Sequence, residues 1–584
     1  MNTSLFNNTP TVTVFDNCGL AVHEIAYHRH PALDVSSLRI TRHQYCARGF
    51  LLQSSDPRLH ELGLANFLYR TDPTGNILRT QGVDNGTTVS LKDAAGRSFM
   101  AVCNITTSDI TDDRSQAVTR TWQYEDSELP GLLVSMTEQV TGEAARITAR
   151  FVYAGDTAAE KKLNLAGQCV SHYDTAGLMQ TSSFALTGAP LSVSRRLLKD
   201  ADNPDVMTDW HGMDAPAWND LLDSESQATL TTADATGAVL ATTDARGNLQ
   251  RVAYDVAGLL SGSWLTVKGG REQVIVASLT YSAAGQKLRE AHGNGVVTSY
   301  AYDARTQRLS GIKTARPAGH ASGAKVLQGL RYAYDPVGSV LSVRNDAEET
   351  RFWRNQKAVP ESTYAYDSLY QLVRATGREM AGAGLQGSHL PPAAVPLPTD
   401  GSAYTRYTRH YTYDEAGNLT QICHSPATNN GYTTNITVSD KSNRGVLSTL
   451  TENPSEVDAL FTAGGQQTRL QPGQSLVWTP RNELLKVTPV GSSQRLLKVS
   501  VQRTGSSTQT QRALYLPGLE LRTTKAGDTE TESLQVITVG EAGRAQVRVL
   551  HWTSGRPGDI ADDQVRYSYD NLTGSSGLEL DGDG

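Results

Sequence analysis

Through much of this 584-residue chain, aromatic and apolar positions alternate with polar ones at period two, the signature of strands with one face covered. Arg406-Tyr407-Thr408-Arg409-His410-Tyr411-Thr412-Tyr413 shows the pattern clearly. Leu514–Leu521 and the pair Gln502-Arg503 lie in further alternating segments, and Ser533–Val539 is rich in β-prone residues. Between such runs recurs a degenerate motif, Tyr-Asp-x-x-Gly-x-Leu. Its clearest copies are Tyr254-Asp255-Val256-Ala257-Gly258-Leu259-Leu260, Tyr334-Asp335-Pro336-Val337-Gly338-Ser339-Val340-Leu341 and Tyr413-Asp414-Glu415-Ala416-Gly417-Asn418-Leu419. Each reads as a hairpin. The tyrosine ends one strand, the aspartate bonds backbone two residues on, the glycine takes a positive φ and the leucine opens the returning strand.

Weaker copies surround these three, at Asp72–Leu78, Tyr173–Leu178, Asp244–Leu249, Tyr281–Leu288, Tyr302–Arg305 and Tyr366–Leu369. The tyrosines at 254, 281, 302, 334, 366 and 413 are separated by 27, 21, 32, 32 and 47 residues. Unequal spacing argues against a propeller, whose closure demands near-equal blades, and predicts an all-β chain in which irregular hairpins build one long spiralling sheet. Repeat clarity divides the chain into a divergent region over 1–230, the clearest repeats over 231–420 and a β-rich continuation over 421–584. A Pro- and Gly-rich stretch at 382–403, including Leu390–Pro398, reads as a surface loop. Asp209–Trp218, with two tryptophans, reads as a small helical insertion or contact patch, and a buried local cluster is favoured.

Composition fits half-exposed strands. Apolar residues make up 38% of the chain and charged residues 19%, with a net charge of −7 and no sustained basic run. Nucleic acid is therefore not an expected partner. Five widely spaced cysteines form neither a disulfide framework nor a zinc pattern and are expected to be reduced and buried. The first residues lack the basic start and apolar core of a secretory signal peptide, and no segment has the apolar length of a membrane span.

A search for catalytic chemistry returns little. In His23-Glu24-Ile25-Ala26-Tyr27-His28 the second histidine falls one position too late for the helical zinc-protease motif, so His23, His28 and His30 are expected on an exposed strand edge. Neither a phosphate-cradling loop nor a nucleophile elbow occurs. The pairs Asp112-Asp113 and Asp562-Asp563 are expected on solvated loops, and the final Glu579–Gly584 segment is too short for a calcium loop. No catalytic, cofactor-binding or metal-ligating residue is assigned.

The repeats resemble the YD repeats of Rhs-family proteins, and the chain as a whole is similar to the C component (TccC-like) of bacterial insecticidal toxin complexes. The resemblance also rests on Ala375–Met380, on Asn435–Ser439 with Ser442–Thr451, and on Val539–Trp552. It implies a hollow shell: with a B component, the C component's repeat region encloses a carboxyl-terminal toxin, which a pore-forming A component later conducts into a target cell. The cysteine pattern and the lack of a signal-peptide pattern predict assembly in the bacterial cytoplasm and release by a route other than a classical signal peptide. The Rhs core, with its protease aspartates, and the toxin domain have no counterpart in the sequence, so the expected role is structural, in an amino-terminal shell-forming part. The alternative is a surface YD-repeat protein serving adhesion or carbohydrate binding, and an enzyme built from dispersed residues is a third reading.

Overall fold

The computed structural model describes residues 5–108, 111–212, 214–380, 403–427, 431–488, 496–504, 507–540, 543 and 545–584. The loop expected over 382–403 lies outside the described residues, Ala403 excepted. The chain divides into two units. One comprises Met1–Trp122, Glu138–Ala145 and Arg331–Gly491, and the other Gln123–Thr137, Arg146–Leu330 and Ser492–Gly584. Helix is confined to short pieces such as Pro57–Glu61, Ala158–Lys162 and Ala215–Asn219, and among the described residues none is long and apolar enough to cross a membrane.

In the first unit, eight strands from Val12–Phe15 to Ser98–Ser108 each pair antiparallel with the next. A second meander runs through Val340–Asn345, Glu361–Tyr366, Leu372–Met380, Tyr404–Tyr413, Leu419–Pro426, Tyr432–Val438 and Gly445–Leu447. The strand Ala21–His28 is paired on both flanks, with His23 and His28 half-buried. This corrects the exposed edge expected there: antiparallel neighbours claim both rows of backbone groups over Ala21–Ile25, and His28, beyond the reach of Val12–Phe15, pairs with Ser37 and lies 3.3 Å from the Asp367 carboxylate. Asp112 is likewise no loop residue. It sits in the strand Thr111–Asp113, where Arg79 donates two hydrogen bonds of 2.8 Å to its carboxylate.

The second unit strings twelve antiparallel strands from Arg146–Tyr153 to Leu309–Arg316, joined mostly by short turns but by longer connections between Tyr153 and Cys169 and between Leu197 and Gln227. A separate seven-stranded sheet, Leu497–Thr504 to Ser576–Leu580, follows. The two layers share a core: Leu265, Ile275, Val276 and Val296 from the first pack with Leu519, Ile537, Val547 and Val549 from the second. A smaller core gathers Tyr173, Leu178, Trp210, Trp218 and Leu222, with both indoles meeting Tyr173 edge-on. The tryptophan segment is thus both things expected of it, a one-turn helix over Ala215–Asn219, capped by Asp214, and a buried cluster.

All five cysteines are free, Cys18 is exposed and the other four are half-buried, so burial was overestimated. Cys18 and Cys46 lie in hairpin turns, and Cys103, Cys169 and Cys423 sit on strands where a small thiol keeps partial contact with water.

Candidate functional site

The motif turns share one geometry. At Asp255 the carboxylate Oδ1 accepts the N–H groups of Ala257 and Leu259 at 2.8 and 2.9 Å, while Gly258 adopts φ +76°. At Asp414 the same oxygen takes Ala416 and Asn418 at 3.0 and 2.8 Å, and Gly417 adopts φ +87°. Asp335 departs slightly: its Oδ1 accepts from Gly338 at 2.7 Å and Ser339 at 2.8 Å, with Gly338 at φ +119°. A carboxylate accepting two backbone donors closes the turn by charge-assisted bonds, and the left-handed glycine completes it. Strand pairing slips by one residue at the motif tyrosine in the hairpins of Tyr45, Tyr254, Tyr281, Tyr302, Tyr366 and Tyr413, a repeated β-bulge.

The tyrosine does more than end a strand. Its hydroxyl donates to the carbonyl of the residue that opens a returning strand in an earlier hairpin: Tyr45 to Ala21, Tyr153 to Leu133, Tyr254 to Val239, Tyr281 to Leu260, Tyr366 to Val340 and Tyr413 to Leu372, all at 2.7–3.0 Å. These stitches span from 15 residues at Tyr254 to 41 at Tyr413. Sequence reading missed them, although the preference for tyrosine over phenylalanine was their signal. It also ended the motif too early. Thr462, Thr479 and Asn571 take the aspartate's place in turns closed the same way, and Asn482 at φ +65° replaces the glycine.

In the first unit, the segment Ser439–Arg444 is the centre of a polar junction. Asp56 caps the helix Pro57–Glu61 by accepting from Leu59, and proline at the first helical position presets its φ. The cap aims Arg58 at the segment, where it donates to the carbonyls of Ser439 and Ser442 and to Asn443 Oδ1, with Asp414 3.3 Å from its Nε. Asn443 donates its backbone N–H to Asp84 and its amide to Asp56, at 2.7 and 2.8 Å. Arg444 donates twice to the Asp84 carbonyl, and Asp458 accepts from both Ser439 and Ser442. Burial pushes the Asp84 carboxyl above its usual range, against the pull of the Asn443 N–H. Alongside, Gly465 at φ +88° lies so close to the Asp84 carbonyl that a Cβ would sit 2.2 Å from its oxygen.

In the second unit a buried polar seam lies where the two sheet layers meet. Lys287 Nζ is 2.7 Å from Glu290, Tyr300 donates to the same carboxylate at 3.0 Å, and His292 Nε2 lies 3.6 Å from it. Tyr567 and Tyr569 of the strand Asp563–Asp570 meet the imidazole edge-on. Burial pushes His292 down to about 4 and Tyr567 up to about 12. Among the described residues, no group of three or more His, Cys, Asp or Glu is placed to hold a metal.

Hairpins closed by a Tyr-Asp turn and stitched to their predecessors by the tyrosine hydroxyl define a YD-repeat sheet protein. Residues 429–473, which include the Ser439–Arg444 junction, match the family described as Tripartite Tc toxins repeat. Over its whole length the chain is 64% identical to toxin subunit YenC2 and 52% identical to toxin subunit YenC1, both of Yersinia entomophaga, and spans 62% and 60% of their lengths. It also superposes entirely on the crystal structure of TcdB2-TccC3, with a TM-score of 0.92 and 55% identity, covering 28% of that chain. A Tc holotoxin pore of Photorhabdus luminescens matches equally well, at TM-score 0.92 and 55% identity over 27% of its chain. The chain is thus similar over its whole length to Tc toxin subunits and spans about three fifths of the length of the curated relatives it matches.

Proposed function

We propose that this chain is a structural shell component of a bacterial toxin complex. Together with a B component it encloses a toxin polypeptide, which a pore-forming A component then delivers. The observation that carries this reading is the superposition of the entire chain on TcdB2-TccC3, whose name joins two subunits; the match to a holotoxin pore supports the link to an A component. Enclosure isolates an aggregation-prone polypeptide, and a wall that does not favour the cargo's folded form keeps it threadable. In this role the chain works by containment rather than catalysis and is assembled in the bacterial cytoplasm before release. The regions 1–230, 231–420 and 421–584 are successive parts of one wall, and the turns at Asp255, Asp335 and Asp414 are its joints.

Co-expression with the B component of the same complex, followed by size exclusion and native mass spectrometry, tests the reading. A stoichiometric B–C assembly is expected. A folded, monodisperse chain that ignores its B component would rule the proposal out.

A further inference from the structure

We propose that the seam between the hairpin Lys287–Tyr302 and the seven-stranded sheet of the second unit is an acid-sensitive latch built on Glu290 and His292. The inference is independent of the container reading.

Both side chains are fully buried. Neither ring nitrogen of His292 has a hydrogen-bond partner among the described residues. A buried imidazole without partners is tolerated when neutral and costly when charged. The groups around it offer an added proton little compensation. On its own strand stand Glu290, 3.6 Å away, and Lys287, whose ammonium already occupies that carboxylate at 2.7 Å. On the neighbouring strand Tyr300 donates to the same carboxylate. From the opposite layer come the rings of Tyr567 and Tyr569, with centroids 6.0 and 5.2 Å from the imidazole, and Asn294 in the hairpin turn bonds the Tyr569 hydroxyl. Gly543 closes the remaining side, since a Cβ there would lie 2.9 Å from a Glu290 oxygen. Lys287, Tyr300 and Gly543 already stand against the carboxylate that would have to turn toward an imidazolium.

The sign follows from burial. The folded seam resists a proton on His292 until about pH 4, whereas the opened seam accepts one near the ordinary 6.5. The stabilisation is complete above pH 6.5 and is lost as pH falls toward 4. Acid therefore favours separation of the Asp563–Asp570 strand from Lys287–His292.

Hydrogen exchange of the full chain, read by mass spectrometry from pH 7.5 to 4.5 and corrected for intrinsic exchange rates, tests this. Protection of Lys287–His292 and Asp563–Asp570 is expected to fall on the order of tenfold between pH 7 and 5. His292→Phe, which keeps a neutral ring, abolishes that fall, and His292→Gln serves if the phenylalanine does not fit. Equal acid loss in a neutral variant overturns the latch. So does a wild-type loss spread evenly over strands remote from the seam, such as Gly177–Phe184, or no loss at all.

Discussion

A single hydroxyl separates a motif tyrosine from a phenylalanine, and it is the atom that ties one hairpin to another. Tyr281→Phe keeps the ring and removes the 2.7 Å bond to the Leu260 carbonyl, so thermal unfolding should register a loss of about 1 kcal/mol. Cys46 offers a test of the aspartate. Tyr45-Cys46-Ala47-Arg48-Gly49-Phe50 is a motif turn with sulfur in place of carboxylate: Cys46 N–H reaches the Phe50 carbonyl at 2.9 Å, Gly49 adopts φ +83°, and Tyr45 is stitched to Ala21. The thiol's pKa is lowered chiefly by backbone donors, those of Arg48 and Phe50, the positions that donate to Asp255 in its own turn. Cys46→Asp should therefore fold normally and melt at a higher temperature. In the wild type, iodoacetamide should consume Cys46 faster than Cys103 or Cys169, whose thiols burial pushes up, as peptide mass spectrometry over time would reveal. A lower melting temperature for the aspartate variant would mean that this turn holds its sulfur by packing.

At the scale of elements, the hairpins were legible in the sequence and the junctions between them were not. A turn is a local object. Asp414, Gly417 and the returning Leu419 lie within six residues, and their chemistry reads directly from the order of side chains. The polar junction joins groups far apart: the Asn443 backbone reaches Asp84 across 359 residues and its amide reaches Asp56 across 387. No periodicity carries such a signal, although Ser442-Asn443-Arg444 stood out by resemblance. The seam of Glu290 and His292 was invisible for the same reason, as Tyr567 and Tyr569 come from another sheet. Arg58 shows what the junction demands. Its planar fork addresses two carbonyls and an amide oxygen at once, beside Asp414, which a lysine's point charge cannot do. Arg58→Lys should cost about 2 kcal/mol or more despite keeping the charge. Urea titration would measure this, with exposed Arg556→Lys as a control expected to change little. Equal midpoints for the two variants would mean the junction is held by charge alone.

For the molecule as a whole, the unequal spacing of the tyrosines has a mechanical meaning. Stitches close over 15 residues at Tyr254 and over 41 at Tyr413 with the same bond length of 3.0 Å, so the bond is indifferent to what the chain does between its ends. Entropy explains the indifference: closing a flexible loop costs free energy only as the logarithm of its length, and doubling the loop adds about 0.6 kcal/mol. A sheet assembled this way accepts insertions wherever a connection is exposed and no turn carboxylate is disturbed. The connection from His28 to Ser37 meets both conditions at Asp34 and Val35, the latter 82% exposed, and it lies within the 24-residue stitch from Tyr45 to Ala21. Inserting about ten Gly and Ser residues there lengthens that stitch to about 34, still within the natural range, at an expected cost of only a few tenths of a kcal/mol. Tyr45→Phe, which leaves the length alone and removes the bond, should cost more. Melting the two variants side by side decides between the descriptions. If the insertion is the more damaging, connection length is part of the specification of the fold and the irregular spacing is itself constrained; if the phenylalanine is, the repeat is defined by its stitch, and the stretches between tyrosines are free to diverge.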